Sequence, residues 1–290
     1  ASILACHCFA HEELGNYTTA ENSGRRALEL DPADLWAAHA VAHVLEMQGR
    51  RTEGIEHLKS LEPHWSGGNH FMHHLWWHLG LYHYERGELD EVLRLYDTKY
   101  RNHASPLNKA VPDLYVDFQN AASMLFRLER QGIDVGNRWI EIADHAEKRI
   151  GDNRSPFTQT HWMMALAATR RWEAAERMLA AMRSYAETEK GDLGRLVKRI
   201  SLPLCEAIVA RGRGDYAAAV ERMRPVLGVM FQIGGSHAQQ DVLEQVFLDC
   251  AEKARSNDAV RLIIERVRAR HPVPPERRAG YRTSAARMHA

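Results

Sequence analysis

The chain is poor in most of the signals that assign chemistry directly. Four cysteines, Cys6, Cys8, Cys205 and Cys250, stand among 290 residues and show neither paired CxxC spacing nor a disulfide framework for a chain this long. The expected setting is reducing and cytoplasmic. No run approaches the roughly 20 apolar residues of a membrane span, and no charged-then-apolar leader opens the chain. Thirty-eight Lys plus Arg balance thirty-eight Asp plus Glu, leaving no net field to attract nucleic acid or an anionic bilayer. No segment alternates long enough to be a strand, and no GxSxG marks a nucleophile elbow. The opening ASILACHCFAHEELG reads as the inside of a helix without an initiator Met, so a further N-terminal portion is expected before it.

What is present is helical punctuation. In LGNYTTAENSGRRALELDP, Gly15 ends one helix, Tyr17 and Ala20 begin the next, and Ala27 and Pro32 close it. The same break returns at Gly49, Gly87, Gly132, Arg170 (in the Gly position of TRRWEAA) and Gly214, at separations of 34, 38, 45, 38 and 44. A tetratricopeptide period is about 34 residues, each repeat pairing two amphipathic helices through small residues. Ala20, Ala27, Ala175 and Ala219 fall at such close-approach positions, and Leu, Trp and Met recur at helical spacing. The predicted fold is therefore all-α, a tetratricopeptide-type α-α superhelix of about 13 to 15 helices. It spans residues 1–270, with insertion loops at 63–70 and 101–113. Residues 271–290, rich in Pro and Arg without an apolar stripe, read as an extended tail.

Histidine is the abundant residue that needs a reason. Nine of seventeen lie between His39 and His83. His39 and His43 are four apart with Glu46 three further on, so one helical face carries all three. His70, His74 and His78 make a second ladder at four-residue steps, and His83 follows. His7 and His11 share the spacing but are turned toward the packing side. Two HxxxH pairs on neighbouring helices, with Glu46 as orienting partner, suit a divalent transition metal such as zinc held by His39, His43, His74 and His78, or a general acid/base site. The structural alternative is that these rings pack among Trp76, Trp77, Tyr82 and Tyr84 and satisfy one another by hydrogen bonds.

Two distant helix starts are candidates for the same cavity. Ser155 and Pro156 begin a helix that carries His161. In GGSHAQQDVLEQ, Ser236 is an N-cap with Gln239 as its capping-box partner, which projects His237, Gln240 and Asp241 from a first turn able to receive an anion. An ordinary capped helix is the competing reading there. Asp117 and Asn120 form a further polar pair on a helix built for packing.

The segments HAVAHVLEMQGRRTEGI, HHLWWHLGLYHYERGELDEVLRLYD, LERQGIDVGNRW and GGSHAQQDVLEQ resemble the tetratricopeptide repeat protein 38 family, over most of residues 1–250. The resemblance implies a divergent all-helical repeat fold and a longer N-terminal part. It carries no reaction with it, although His39, His43, His74, His78, His161 and His237 all fall inside it.

The leading functional expectation is a hydrolase- or lyase-like site on a small polar metabolite. His39, His43, Glu46, His74, His78, His161 and His237 would do the chemistry, and Trp77, Tyr84, Ser236, Gln240 and Asp241 would bind the ligand. The alternative is a non-enzymatic scaffold that takes a peptide or protein partner in its concave groove. A third is a homo-oligomer contacting through Trp76 and Trp77.

Overall fold

The computed structural model describes residues 1–288, and among them every regular element is helical. Two compact units result, residues 1–120 with 267–286, and residues 121–266.

The first unit contains α1 (Ser2–Glu13), α2 (Tyr17–Leu30), α3 (Leu35–Met47), α4 (Arg51–Leu61), α5 (Phe71–Arg86), α6 (Leu89–Leu95), α7 (Pro106–Ala110) and the opening turns of α8 (Tyr115–Arg130). Consecutive helices from α1 to α6 pack as hairpins, and α3 lies against α1, α2, α4 and α5. The sequence explains why α3 and α5 are central. The stretch Ala37–Leu45 of α3, apolar but for His39 and His43, is buried on every side. Its start is fixed by Asp34, whose Oδ1 accepts from the backbone N–H groups of Trp36 and Ala37, both at 3.0 Å. A fixed spacing between α3 and α5 comes from α4. At Gly54 a Cβ would lie 2.2 Å from Cζ of Tyr82, so only glycine lets α4 rest on that ring. The Tyr82 hydroxyl then donates to the Ala42 carbonyl at 2.6 Å, tying α5 to α3 one residue from His43.

The second unit contains the rest of α8, α9 (Arg138–Lys148), α10 (Pro156–Ala168), α11 (Trp172–Thr188), α12 (Asp192–Leu196), α13 (Leu202–Gly212), α14 (Tyr216–Met223), α15 (His237–Lys253) and most of α16 (Asn257–Arg270). Pairs α9/α10, α10/α13, α13/α14 and α14/α15 are packed. Ser155 caps α10 by accepting from Thr158 N–H at 3.3 Å, and Ser236 caps α15 with the full reciprocal box to Gln239.

The turn series is visible in the backbone. Gly15, Gly49, Gly87, Gly132 and Gly214 all take positive φ, and Arg170 takes φ 55° in the position that its place in the series assigns to glycine. Arg255, at φ 54°, extends the series by one turn that composition does not mark. Ala20, Ala27, Ala175 and Ala219 are fully buried.

Two expectations are corrected. The region 101–113 is not all loop, because Pro106–Ala110 forms α7. Residues 271–288 are not an extended tail: Val273, Pro275 and Tyr281 are buried, and α17 (Arg282–Arg287) follows them. The Arg277 carbonyl accepts from Arg51 Nη2 at 2.6 Å, and Glu85 accepts from Ala279 N–H at 3.0 Å. Those anchors are backbone groups meeting side chains far away in sequence, which hydropathy patterning does not register. His289 and Ala290 lie outside the described residues.

Candidate metal centre

Four-residue spacing places His39 above His43 on α3 and His74 above His78 on α5, and the Tyr82 tie brings these faces together. One ring nitrogen of each of His39, His43, His74 and His78 lies within 4.8 Å of the others, and all four side chains are buried. Nε2 of His39 and Nε2 of His43 are 3.0 Å apart.

The opposite nitrogens are held from behind. His78 Nδ1–H donates to Glu46 Oε2 at 2.8 Å, and His74 Nδ1–H donates to Asn120 Oδ1 at 2.8 Å. His43 Nδ1 faces Glu12 Oε2 at 3.7 Å. The bonds to Glu46 and Asn120 fix His78 and His74 in the tautomer with Nε2 free of hydrogen, the arrangement found behind metal-bound imidazoles. Nε2 of His78 has no hydrogen-bond partner, and neither does Nδ1 of His39. Glu46, expected to orient His39 and His43 on its own helix, orients His78 across the helix pair instead.

Burial sets the charge state. His39 is driven well below its ordinary pKa by desolvation, then by His43, His74 and His78. Desolvation lowers His78 to about 3, and lowers His74 to about 3 with help from His78. These rings are neutral at pH 7. Glu12 is pushed the other way, to about 9, by burial and then by the charges of Glu13 and Glu46.

Aromatic rings enclose the cluster. Trp77 stacks on His74 at 5.1 Å and 11°, deep in the core. Half-buried Phe9, Trp36 and Phe71 lie 5.4, 4.9 and 5.0 Å from His39 and form the side nearest solvent. Tyr84 is buried in the last turn of α5, beyond His78. Trp76 is half-buried beneath the Lys99 ammonium, 5.0 Å from its ring.

The remaining expected site residues belong to the second unit. His161 Nδ1–H donates to the Phe157 carbonyl of its own helix at 3.0 Å, and burial lowers its pKa to about 4. His237 is half-buried in the first turn of α15. Ser236 is occupied as a cap. Gln240 donates to the Gly235 carbonyl at 2.7 Å, and Asp241 accepts from Gln245 at 2.7 Å and from Arg127 at 3.3 Å. The polar face read from GGSHAQQD is therefore engaged in shaping its own loop and helix.

Sequence reasoning missed Glu12, Phe9 and Trp36, which reach the cluster from α1 and the start of α3. Only Glu12 left a trace, as a charge one helical turn after buried Cys8 on an otherwise apolar face. Asn120 was visible as a polar residue on a packing helix, though not as the partner of His74. No protein-family model matches this chain.

Proposed function

We propose that this protein is metal-dependent, with His39, His43, His74 and His78 holding one divalent transition-metal ion of the zinc class. The observation that carries this is a convergence of four buried imidazoles, with the outer nitrogens of His74 and His78 engaged and His78 Nε2 and His39 Nδ1 left without a hydrogen bond. Tetrahedral zinc with Zn–N of about 2.0–2.1 Å sets its nitrogens roughly 3.3 Å apart. The cluster brackets that figure, from 3.0 Å between two Nε2 atoms to the 4.8 Å limit, so small ring rotations close the shell.

The charge state selects metal binding over proton transfer. A general base works best with a pKa near the operating pH, whereas His74 and His78, at about 3, hold a proton too weakly at pH 7 to be efficient. The same depression leaves the lone pairs permanently available to a cation. We assign the chain a hydrolase- or lyase-like activity on a small polar metabolite, built on a divergent tetratricopeptide-type helical stack. What supports the activity is metal dependence of this unit; the four-histidine ion itself sits in a closed shell that holds α3 and α5 together.

Untagged protein analysed for metal by mass spectrometry should contain zinc or a similar ion, and His43→Ala should bind it at least about 100-fold more weakly. Wild-type protein that stays metal-free after incubation with excess zinc and dialysis contradicts the reading.

A further inference from the structure

A second group of ligand-type side chains stands in the first unit, on residues the four-histidine centre does not use. His70, at the N-cap of α5, and His73, in its first turn, meet Asp117 of α8. Nδ1 of His70 is 2.7 Å from Asp117 Oδ2, and Nδ1 of His73 is 2.9 Å from the same oxygen. Asp117 is fully buried and its other oxygen, Oδ1, has no hydrogen-bond partner.

The geometry points to a second divalent-cation site, His70–His73–Asp117, with open coordination positions for an oxygen-donor ligand such as a carboxylate or hydroxamate. Two imidazoles and one carboxylate are the donor set of three-ligand sites that keep remaining positions for water or substrate. In an octahedral shell of radius about 2.1 Å, neighbouring donors lie roughly 3.0 Å apart, close to the two N–O separations seen. Those separations also suit hydrogen bonds; the orphaned Oδ1 is what they leave unexplained. A buried carboxyl needs a partner for each oxygen, and both imidazoles meet the same one, Oδ2. A cation held by Asp117 offers the group a further partner.

Access differs between the two centres. His70 is 16% exposed at its side chain and directly follows the Ser66–Asn69 stretch, most of which is exposed, whereas His39, His43, His74 and His78 are sealed. A closed shell of four protein ligands suits a structural ion, and an open shell of three suits reaction. This proposal adds to the metal-dependence reading the position at which substrate oxygen would bind, and it stands on separate residues.

Cobalt(II) serves as the probe, because its visible spectrum reports coordination. Wild-type protein should bind about two cobalt ions per chain, and acetohydroxamate, a bidentate oxygen ligand, should perturb the spectrum. His43→Ala should lose one ion and keep the hydroxamate response. Asp117→Asn should lose the other ion together with that response. If Asp117→Asn fails to fold, His70→Ala, at a partly exposed position, makes the same demand. The proposal is overturned if His70→Ala or folded Asp117→Asn keeps the wild-type stoichiometry and response, or if wild-type protein binds a single ion that His43→Ala removes. Binding of a single ion that survives His43→Ala but not Asp117→Asn would instead retain this site and overturn the four-histidine one.

Discussion

The two units bury polar side chains in opposite ways. In the second, charges answer one another: Asp241 accepts from Arg127 and Gln245, Arg211 donates to Asp249 at 2.7 Å, Arg130 to Glu252 at 3.2 Å, and Arg266 to Glu244 at 3.0 Å. In the first, the buried polar groups are mostly imidazoles facing each other, with His39 Nδ1, His78 Nε2 and Asp117 Oδ1 left without a hydrogen bond. Similar helical hairpins thus hold a polar core built on paired charges in one unit and on clustered imidazoles in the other. Unsatisfied buried polar atoms are rare because each one costs stability, so their concentration in one unit is what the proposed metal sites account for.

The largest effect expected from breaking this contrast is in the second unit. Asp241→Ala leaves the buried Arg127 guanidinium without its carboxylate and should cost about 3–5 kcal/mol in denaturant unfolding. Metal content per folded chain should not change. If it falls, the units are coupled and the contrast is wrong.

Acid should act on the first unit more than the second. His39, His57, His74 and His78 have folded pKa values below the unfolded value of 6.5, so the unfolded chain takes up protons first as pH falls below 6.5. Stability present above pH 6.5 is then lost, at about 1.4 kcal/mol per pH unit for each such group. Glu12 opposes one of them, since its folded value of about 9 makes the folded chain the better proton binder between pH 4.5 and 9. The second unit carries one lowered histidine, His161. Hydrogen exchange on metal-free protein at pH 7 and pH 5 should show α3 and α5 losing protection ahead of α10. Equal loss in all three would remove the distinction.

Sequence legibility also differs by unit. Helix class, hairpin punctuation and caps could be read in both, because they depend on local rules: Ser236 with Gln239, Ser155 with Pro156, and glycine where φ is positive. His39, His43, His74 and His78 were legible as two ladders because both pairs obey a single helical period. Glu12, and the pairing of Asn120 with His74 and of Asp117 with His70 and His73, were not, since they arise when separate helices dock. His161 and His237 look like the others in sequence, yet their neighbours are a helix carbonyl and a capped first turn. Nothing in one-dimensional spacing separates an imidazole bonded to its own helix from one facing three more.

The smallest expected effect sharpens the comparison at the turns. The first unit uses Gly15, Gly49 and Gly87 at its left-handed positions, while the second uses arginine at two, Arg170 and Arg255. Arg170→Gly should raise stability by about 0.5–1 kcal/mol, because relief of left-handed strain exceeds the added entropy of the unfolded glycine. Thermal melting of the variant beside wild type measures this, and a lowered melting temperature would show that the arginine side chain contributes more than its backbone costs.

X-ray absorption at the zinc edge of zinc-loaded Asp117→Asn tests the central claim most directly, because that change leaves only the four-histidine centre to report. The account predicts a first shell of about four nitrogens at roughly 2.0–2.1 Å with outer scattering from imidazole rings. A shell of oxygens without imidazole scattering, or no bound zinc to measure in folded protein, would contradict it.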